Sequence, residues 1–237
     1  MLGPPLTARF TGAGAVVAEG WWSRTVLGPS VIVPDGAVDL MWMFGRPPWI
    51  AGPDTTAHTV VLRPGSTVVG VRLRPGVTNV LTAASVETIA DSSVGFASLL
   101  SSAQERSLEE QLECAMGEGA IAAALVGTVV DAMPTRWLPD PLLADVIASL
   151  RSASGVPGDL TLSPRQLRRR FANAMGYGPK FYERIIRLGR FTDLADVDAR
   201  SSLGVLAARS GYFDQSHLVR DCQLLTGRTP TEMAGRS

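Results

Sequence analysis

Hydrophobic and polar positions divide this chain into two differently patterned parts. Up to about Ser92, short runs rich in β-branched and aromatic residues cover 30–33, 38–44, 58–62 and 67–73. Between them lie turn signals: Pro34-Asp35-Gly36, Gly45-Arg46-Pro47-Pro48, Gly52-Pro53-Asp54, Pro64-Gly65 and Pro75-Gly76. Strands this short, with turns this frequent, predict an antiparallel sandwich or small barrel. No long helical period interrupts them, which argues against a parallel βαβ sheet. Beyond Ser92 the period becomes helical. Leu108, Leu112 and Ala115 recur at helical spacing, and 120–130 reads as a largely buried helix. The helical stretch 96–130 is expected to dock on the β part, with any apolar stripe left exposed there available for a dimer. Asp140 caps a further helix, with Pro141 at its first position and Leu142, Leu143, Val146, Ile147 and Leu150 on one face. Four more helices start at Ser163-Pro164, Pro179 or Lys180, Ser201-Ser202 and Asp214, and Gly176, Gly211 and Gly227 mark helix ends. The pattern predicts an α+β multidomain chain. Residues 1–133 form an antiparallel β-rich domain ending in helices, 134–139 a linker, and 140–237 an all-α domain.

Charge sharpens that division. The 237 residues include 22 basic and 22 acidic ones, so the formal net charge is zero. Residues 1–159 hold 9 basic and 15 acidic residues, a balance of −6, and residues 160–237 hold 13 and 7, a balance of +6. Within the basic part, Arg165, Arg168, Arg169 and Arg170 crowd one short helix. At helical spacing Arg165, Arg168 and Arg169 share a face opposite Leu167 and Phe171. Like charges so placed repel by roughly a few tenths of a kcal/mol per pair, and a polyanion reverses the sign of that contribution. A plain solvated face is the alternative reading.

The remaining composition mostly excludes. Cys114 and Cys222 are far apart and form no CxxC pair, which predicts a reducing compartment and no disulfide framework. Two histidines, His58 and His217, argue against a His-rich metal site. Gly12-Ala13-Gly14 lacks the third glycine of a dinucleotide loop. No basic region precedes an apolar run at the N-terminus, and the stretch 120–130 is too short to cross a bilayer. The expectation is a cytoplasmic protein with no metal, no cofactor and no membrane partner.

The segment Leu203 to Met233 holds a helix, a tight turn at Ser210-Gly211-Tyr212 and a second helix from Asp214, which is helix-turn-helix spacing. Its residues Ala207-Ala208, Gly211-Tyr212-Phe213-Asp214-Gln215-Ser216-His217-Leu218, Arg220 and Gly227-Arg228-Thr229-Pro230 closely resemble the AraC/XylS family of bacterial transcription regulators. A weaker echo of the same module lies upstream, from Leu162 to Phe191. The resemblance implies two helix-turn-helix units joined by a long helix at about 179–193, over roughly 140–235. It implies double-stranded DNA as partner, read in two successive major-groove segments about 34 Å apart. The downstream reader would present Gln215, Ser216, Val219 and Arg220 to base edges, and the upstream reader Arg165, Arg168 and Arg169. Glutamine pairs bidentately with adenine, arginine with guanine, and valine packs on a thymine methyl. Lys180, Arg184, Arg209, His217 and Thr229 are candidates for phosphate contact, His217 equally for buttressing the turn. Tyr212 and Phe213 are expected in the core.

One departure from the family stands out. The place of a scaffold helix before the upstream reader holds Ser152-Ala153-Ser154-Gly155-Val156-Pro157-Gly158-Asp159-Leu160, whose Gly155, Pro157 and Gly158 disfavour a helix. The upstream unit is therefore expected to lean on the helix that begins at Pro141. The N-terminal half resembles, more loosely, the cupin-like effector domains attached to this family. That resemblance implies a small-molecule effector, a homodimer and, for an activator, contact with RNA polymerase. Trp21, Trp22, Trp42, Phe44 and Trp49 are candidates to line an apolar pocket, with Asp39, Arg72 and Arg74 as polar contacts; the alternative is that the tryptophans fill a β core. Two other functions remain open at this point. One is an enzyme such as a DNA-repair methyl acceptor with a helix-turn-helix adaptor. The other is a ligand- or protein-binding module that has lost DNA binding.

Overall fold

Strands and then helices follow one another in the order the periodicity suggests. The structure is a computed structural model that describes residues 11–235 except 13–14, 135–136, 159 and 199. The linker expected at 134–139 and the Gly12-Ala13-Gly14 stretch thus lie partly outside the described residues. The strands are β1 (Thr11–Gly12), β2 (Ala15–Val16), β3 (Ala18–Thr25), β4 (Ser30–Ile32), β5 (Val38–Met43), β6 (Arg46–Ala51), β7 (His58–Val60), β8 (Thr67–Leu73) and β9 (Ser93–Gly95). Five of them form one antiparallel sheet in the order β3-β8-β5-β6-β9, while β1-β2 and β4-β7 are separate pairs. The sheet is open, with β3 and β9 at its edges, so the closed-barrel expectation is not met among the described residues.

β6 crosses the prolines that read as a turn. Only its later residues, Trp49 to Ala51, pair with β9. Pro47 and Pro48 therefore lie where one side of the strand is an edge, and a missing N–H costs little there.

Side chains of the sheet split by alternation. Val69, Val71, Leu40 and Ile50 face a core shared with the helices α2 (Ser102–Cys114) and α3 (Glu118–Ala132), through Leu108, Leu112, Leu125, Val126 and Val129. The leucines and valines of these two helices are consumed by this core, while Ala120 and Ala123 of α3 stay exposed. The other sheet face carries a smaller cluster of Val26, Met43, Trp49 and Val68. A short helix α1 (Val77–Leu81) and 3₁₀ turns at Val86–Ile89 and Phe96–Leu99 complete this part.

The helical part is α4 (Pro141–Arg151), α5 (Pro164–Met175), α6 (Pro179–Val197), α7 (Leu203–Arg209), α8 (Gln215–Thr226) and α9 (Pro230–Met233). Local chemistry sets these limits. Asp140 accepts hydrogen bonds from the backbone N–H groups of Leu142 and Leu143, ahead of Pro141. Ser163 and Gln166 form a reciprocal capping box on α5, ahead of Pro164. Two cores divide these helices. Leu143, Val146, Ile147, Leu150, Leu167, Phe171, Tyr182 and Ile185 bind α4, α5 and the start of α6. Leu188, Phe191, Leu206, Ala207, Tyr212, Leu218, Cys222 and Leu225 bind the rest of α6 to α7 and α8. No helix among the described residues is long and apolar enough to cross a membrane.

The two parts meet along a broad seam. The turn Val86–Ile89 packs on α5, and Pro53 and Val86 close on Gly176, the C-cap of α5. Gly176 has φ +82°, and a Cβ there would stand 2.5 Å from Pro53. That position therefore needs glycine for both its backbone and its neighbour. The backbone N–H of Ala57 donates to the carbonyl of Leu225 in α8 at 2.7 Å. Arg151 at the end of α4 pairs with Glu19 of β3 at 3.2 Å.

Candidate nucleic-acid interface

The downstream unit is a complete helix-turn-helix. Ser202 caps α7 by accepting from the N–H of Val205. Gly211, at φ +88°, turns the chain as no other residue does without strain. Asp214 then caps α8 by accepting from the N–H of His217 at 2.7 Å. Along α8 the inward stripe is Leu218, Cys222 and Leu225, all fully buried. Gln215, Ser216, Val219 and Arg220 are all exposed on the other side. The structure thus brings the four expected base-reading side chains onto one open face at the start of the helix.

Asp221 is the residue that sequence reasoning missed. It lies on the inward stripe of α8 and its side chain is only 3% exposed. One carboxylate oxygen accepts from Arg184 of α6 through Nε at 2.9 Å and Nη2 at 2.7 Å. The other lies 3.8 Å from Arg187 and 3.8 Å from His217 Nε2. Arg187 also takes a hydrogen-bond acceptor from its own helix, Glu183, at 2.8 Å. A charge-assisted fork between the joining helix and the reader fixes how α8 sits on α6. An acid between Leu218 and Leu225 in the helical period was the available signal, because a buried carboxylate requires partners.

Several residues expected at phosphates have partners within the protein. Arg184 donates to Asp221 through Nε and Nη2 and is 30% exposed. Arg209 pairs with Asp198 at 2.6 Å, holding the loop before α7. Hydrogen bonds from Ser201, then from Arg209, hold the Asp198 carboxyl below its ordinary range. Thr229 caps α9 in a reciprocal box with Glu232, which occupies its hydroxyl. His217 sets its ring edge against Tyr212, centroids 5.1 Å apart, on the side of Asp221, and so buttresses the turn. Lys180 is exposed in the first turn of α6 and keeps the phosphate role open to it. Tyr212 is in the core as expected, but Phe213 is 93% exposed, against the expectation that both are buried. Leu218, the residue on which a Phe213 staple would close, is already covered by the core.

The upstream unit is built differently. The stretch between α4 and α5 forms no helix among its described residues, so there is no scaffold helix before the reader. Its place is taken by α4, whose last carbonyls, of Leu150 and Arg151, accept from Arg190 of α6 at 2.9 and 2.8 Å. Arg170 pairs with Asp140 at 3.4 Å and ties α5 to the start of α4. Arg165, Arg168 and Arg169 remain exposed on the opposite face to Leu167 and Phe171 and enter no ion pair among the described residues.

The tryptophans do not enclose a cavity. Trp21 and Trp22 are neighbours in one strand, so they must leave opposite faces. Trp21 and Trp42 pack against the large core, and Trp22 and Trp49 join the small cluster. Trp22 lies flat over Gly70 and donates from Nε1 to Asp39 at 3.2 Å. Arg72 donates to Asp39 at 3.1 Å and also pairs with Asp35. Phe44, at the hairpin tip, is 89% exposed. Arg74 lies beyond the end of β8, so it does not share a strand face with Arg72 as its spacing implied. Where the sequence suggested a pocket, these residues form packed clusters with a half-buried ion pair beside them.

Comparison with known proteins finds two family matches and several similar structures. Residues 158–236 match the family described as a helix-turn-helix domain. Residues 15–95 match the family described as a domain of unknown function, DUF6597. No curated protein matches the sequence. Among solved structures, the 1.65 Å structure of ToxT from Vibrio cholerae is similar at 9% identity, covering 91% of this chain and 97% of that one, with a TM-score of 0.46. A second structure of ToxT, from Vibrio cholerae O395, is also 9% identical and covers 91% of this chain and 95% of that one, with a TM-score of 0.45. The chain thus carries an AraC-type helix-turn-helix domain over residues 158–236 and a DUF6597 domain over residues 15–95.

Proposed function

We propose that the protein is a sequence-specific DNA-binding transcription regulator, with two reader helices in one chain and an N-terminal domain that controls them. One observation carries the reading. The outward face of α8 collects Gln215, Ser216, Val219 and Arg220 while its inward face is sealed into a core. A helix presented this way enters a major groove with its first turns against base edges. Gln215 and Arg220 supply bidentate donors and acceptors, and Val219 supplies an apolar surface for a thymine methyl. Arg165, Arg168, Arg169 and Lys180 supply positive charge on the upstream side, where the counterion-release contribution to affinity resides.

Fluorescence anisotropy with the duplex upstream of the protein's own coding sequence tests this. Replacing Gln215 and Arg220 together by alanine should weaken binding by about 1–3 kcal/mol for each bidentate base pairing that the substitution removes. Unchanged affinity in that double variant, with no dependence on salt, would sink the proposal.

A second reading has one specific observation behind it. The loop in place of the scaffold helix fits a module that keeps the fold and has lost DNA binding. It predicts no specific shift with any duplex. The methyl-acceptor alternative finds no support at Cys222, where burial pushes the thiol up to about 12, away from the reactive thiolate, while Cys114 is exposed.

A further inference from the structure

We infer that His217 takes up a proton when the protein binds DNA, its imidazolium bridging the Asp221 carboxylate behind it and a backbone phosphate in front. The inference rests on the DNA-binding reading above and adds proton uptake to it.

The space behind the ring is short of donors. Asp221 Oδ1 accepts both hydrogen bonds from Arg184, whereas Oδ2 is buried and accepts none among the described residues. Two donors stand 3.8 Å from Oδ2, Arg187 Nη2 and His217 Nε2. Arg187 is only 13% exposed and is drawn to Glu183 at 2.8 Å, so it is held in the wall. The imidazole is 35% exposed, at the protein's edge. A proton on Nε2 lets it close on Oδ2, and a carboxylate at one ring nitrogen favours the imidazolium.

The free protein does not supply the rest. Tyr212 meets the ring edge-on at 5.1 Å, and Asp214 accepts from the backbone N–H of His217. Arg220 is exposed three residues on. From α6 come Arg184, Arg187 with its partner Glu183, and Arg190, which reaches the turn at Gly211. Arg184, Arg187, Arg190 and Arg220 thus stand against Asp214, Asp221 and Glu183. The surroundings carry no net negative charge to hold a further proton, and DNA does.

Placement brings the phosphate to the ring. His217 neighbours Arg220 at the margin of the reader face, on the far side from Gln215. A helix in the major groove turns the middle of its reading face to base edges and its margins to the phosphates. A neutral imidazole has one N–H and serves either Asp221 or a phosphate. The imidazolium has two and serves both.

Fluorescence anisotropy of the full chain with its own upstream duplex, at fixed salt, tests this between about pH 6 and about pH 8, the window in which histidine changes charge. Affinity should rise about tenfold from the higher pH to the lower; one linked proton allows at most about tenfold per pH unit. His217→Gln, whose amide donates to Asp221 and takes no charge, should flatten that rise. A ring that only buttresses the turn would leave the rise intact in this variant, which would overturn the inference. The other histidine, His58, and the raised Asp54 carboxyl lie at the seam. With both replaced, as His58→Gln and Asp54→Asn, the rise should persist, and its loss there would assign the proton to the seam instead. Calorimetry of the parent protein with the duplex, in phosphate and in Tris buffer, reads the proton even if His217→Gln fails to fold. A binding heat that is the same in both buffers overturns the inference. Binding without proton uptake removes only the role of His217, whereas no binding at any pH removes the DNA-binding reading itself.

Discussion

The two reader units of this chain reach similar exposed helices by different means. The downstream reader α8 is held mainly by α7, a glycine turn and the Asp221 fork to α6, with one backbone hydrogen bond from Ala57 of the β part to Leu225. The upstream reader α5 lacks a scaffold helix and is held by α4, by Arg170 to Asp140, and by the β-domain turn at Val86–Ile89. The difference teaches where control can enter. The upstream reader rests on the β part through the turn at Val86–Ile89 and α1, more than the downstream one does.

The largest effect that would break this comparison is loss of a core. Phe171 is fully buried between α4, α5 and α6. Phe171→Ala should cost about 3–5 kcal/mol, read as a lowered urea midpoint. A shift under about 1 kcal/mol would mean that α5 is held by something other than this core. Next is the fork. Asp221→Ala strands Arg184, while Arg187 keeps Glu183, and with Arg184 partly exposed the cost should be about 2 kcal/mol, below that of a fully buried pair. Asp221→Asn, which keeps an acceptor, should recover part of it. Equal losses in both variants would show that packing, not charge, matters there.

Smaller still is the upstream charge. Arg168→Ala should weaken binding to all duplexes alike and lower the slope of log affinity against log salt by about 1 if Arg168 meets a phosphate. A change confined to one sequence makes it a base reader instead.

The seam itself carries a pH dependence. Burial, with added repulsion from Asp91 and Asp35 and against the pull of His58, raises the Asp54 carboxyl to about 6. A folded value above the ordinary one means protonation favours the folded state. The contribution is fully present below about 3.8 and is lost as pH rises through about 6. Asp54→Asn should flatten the thermal midpoint against pH in that window, and parallel curves for the two proteins would contradict it. The smallest effect belongs to Glu19→Ala, which removes a half-exposed pair and should cost about 0–1 kcal/mol.

Much of the helical part was legible because caps are local. Asp140-Pro141, Ser163 with Gln166, Asp214 and Gly227 each mark a helix end by their own hydrogen bonds or backbone. The outward residues of α8 followed from the family resemblance, while helical period gave its inward residues Leu218, Cys222 and Leu225. What was not legible depended on neighbours distant in sequence. Pro47 and Pro48 belong to a strand because β9 reaches only its later residues. Arg184 and Arg209 looked free until their acids were placed. Phe213 looked like core because nothing in the sequence shows that Leu218 is already covered. The tryptophans were the exception, since Trp21 and Trp22, adjacent in a strand, could not have faced one cavity.

Hydroxyl-radical footprinting of the protein on its own upstream duplex tests the central claim most directly. The account predicts two protected segments about 34 Å apart on one face of the DNA. Replacing Arg165, Arg168 and Arg169 should erase one segment and leave the other. A single protected segment in the parent protein, unchanged by that triple substitution, would contradict it.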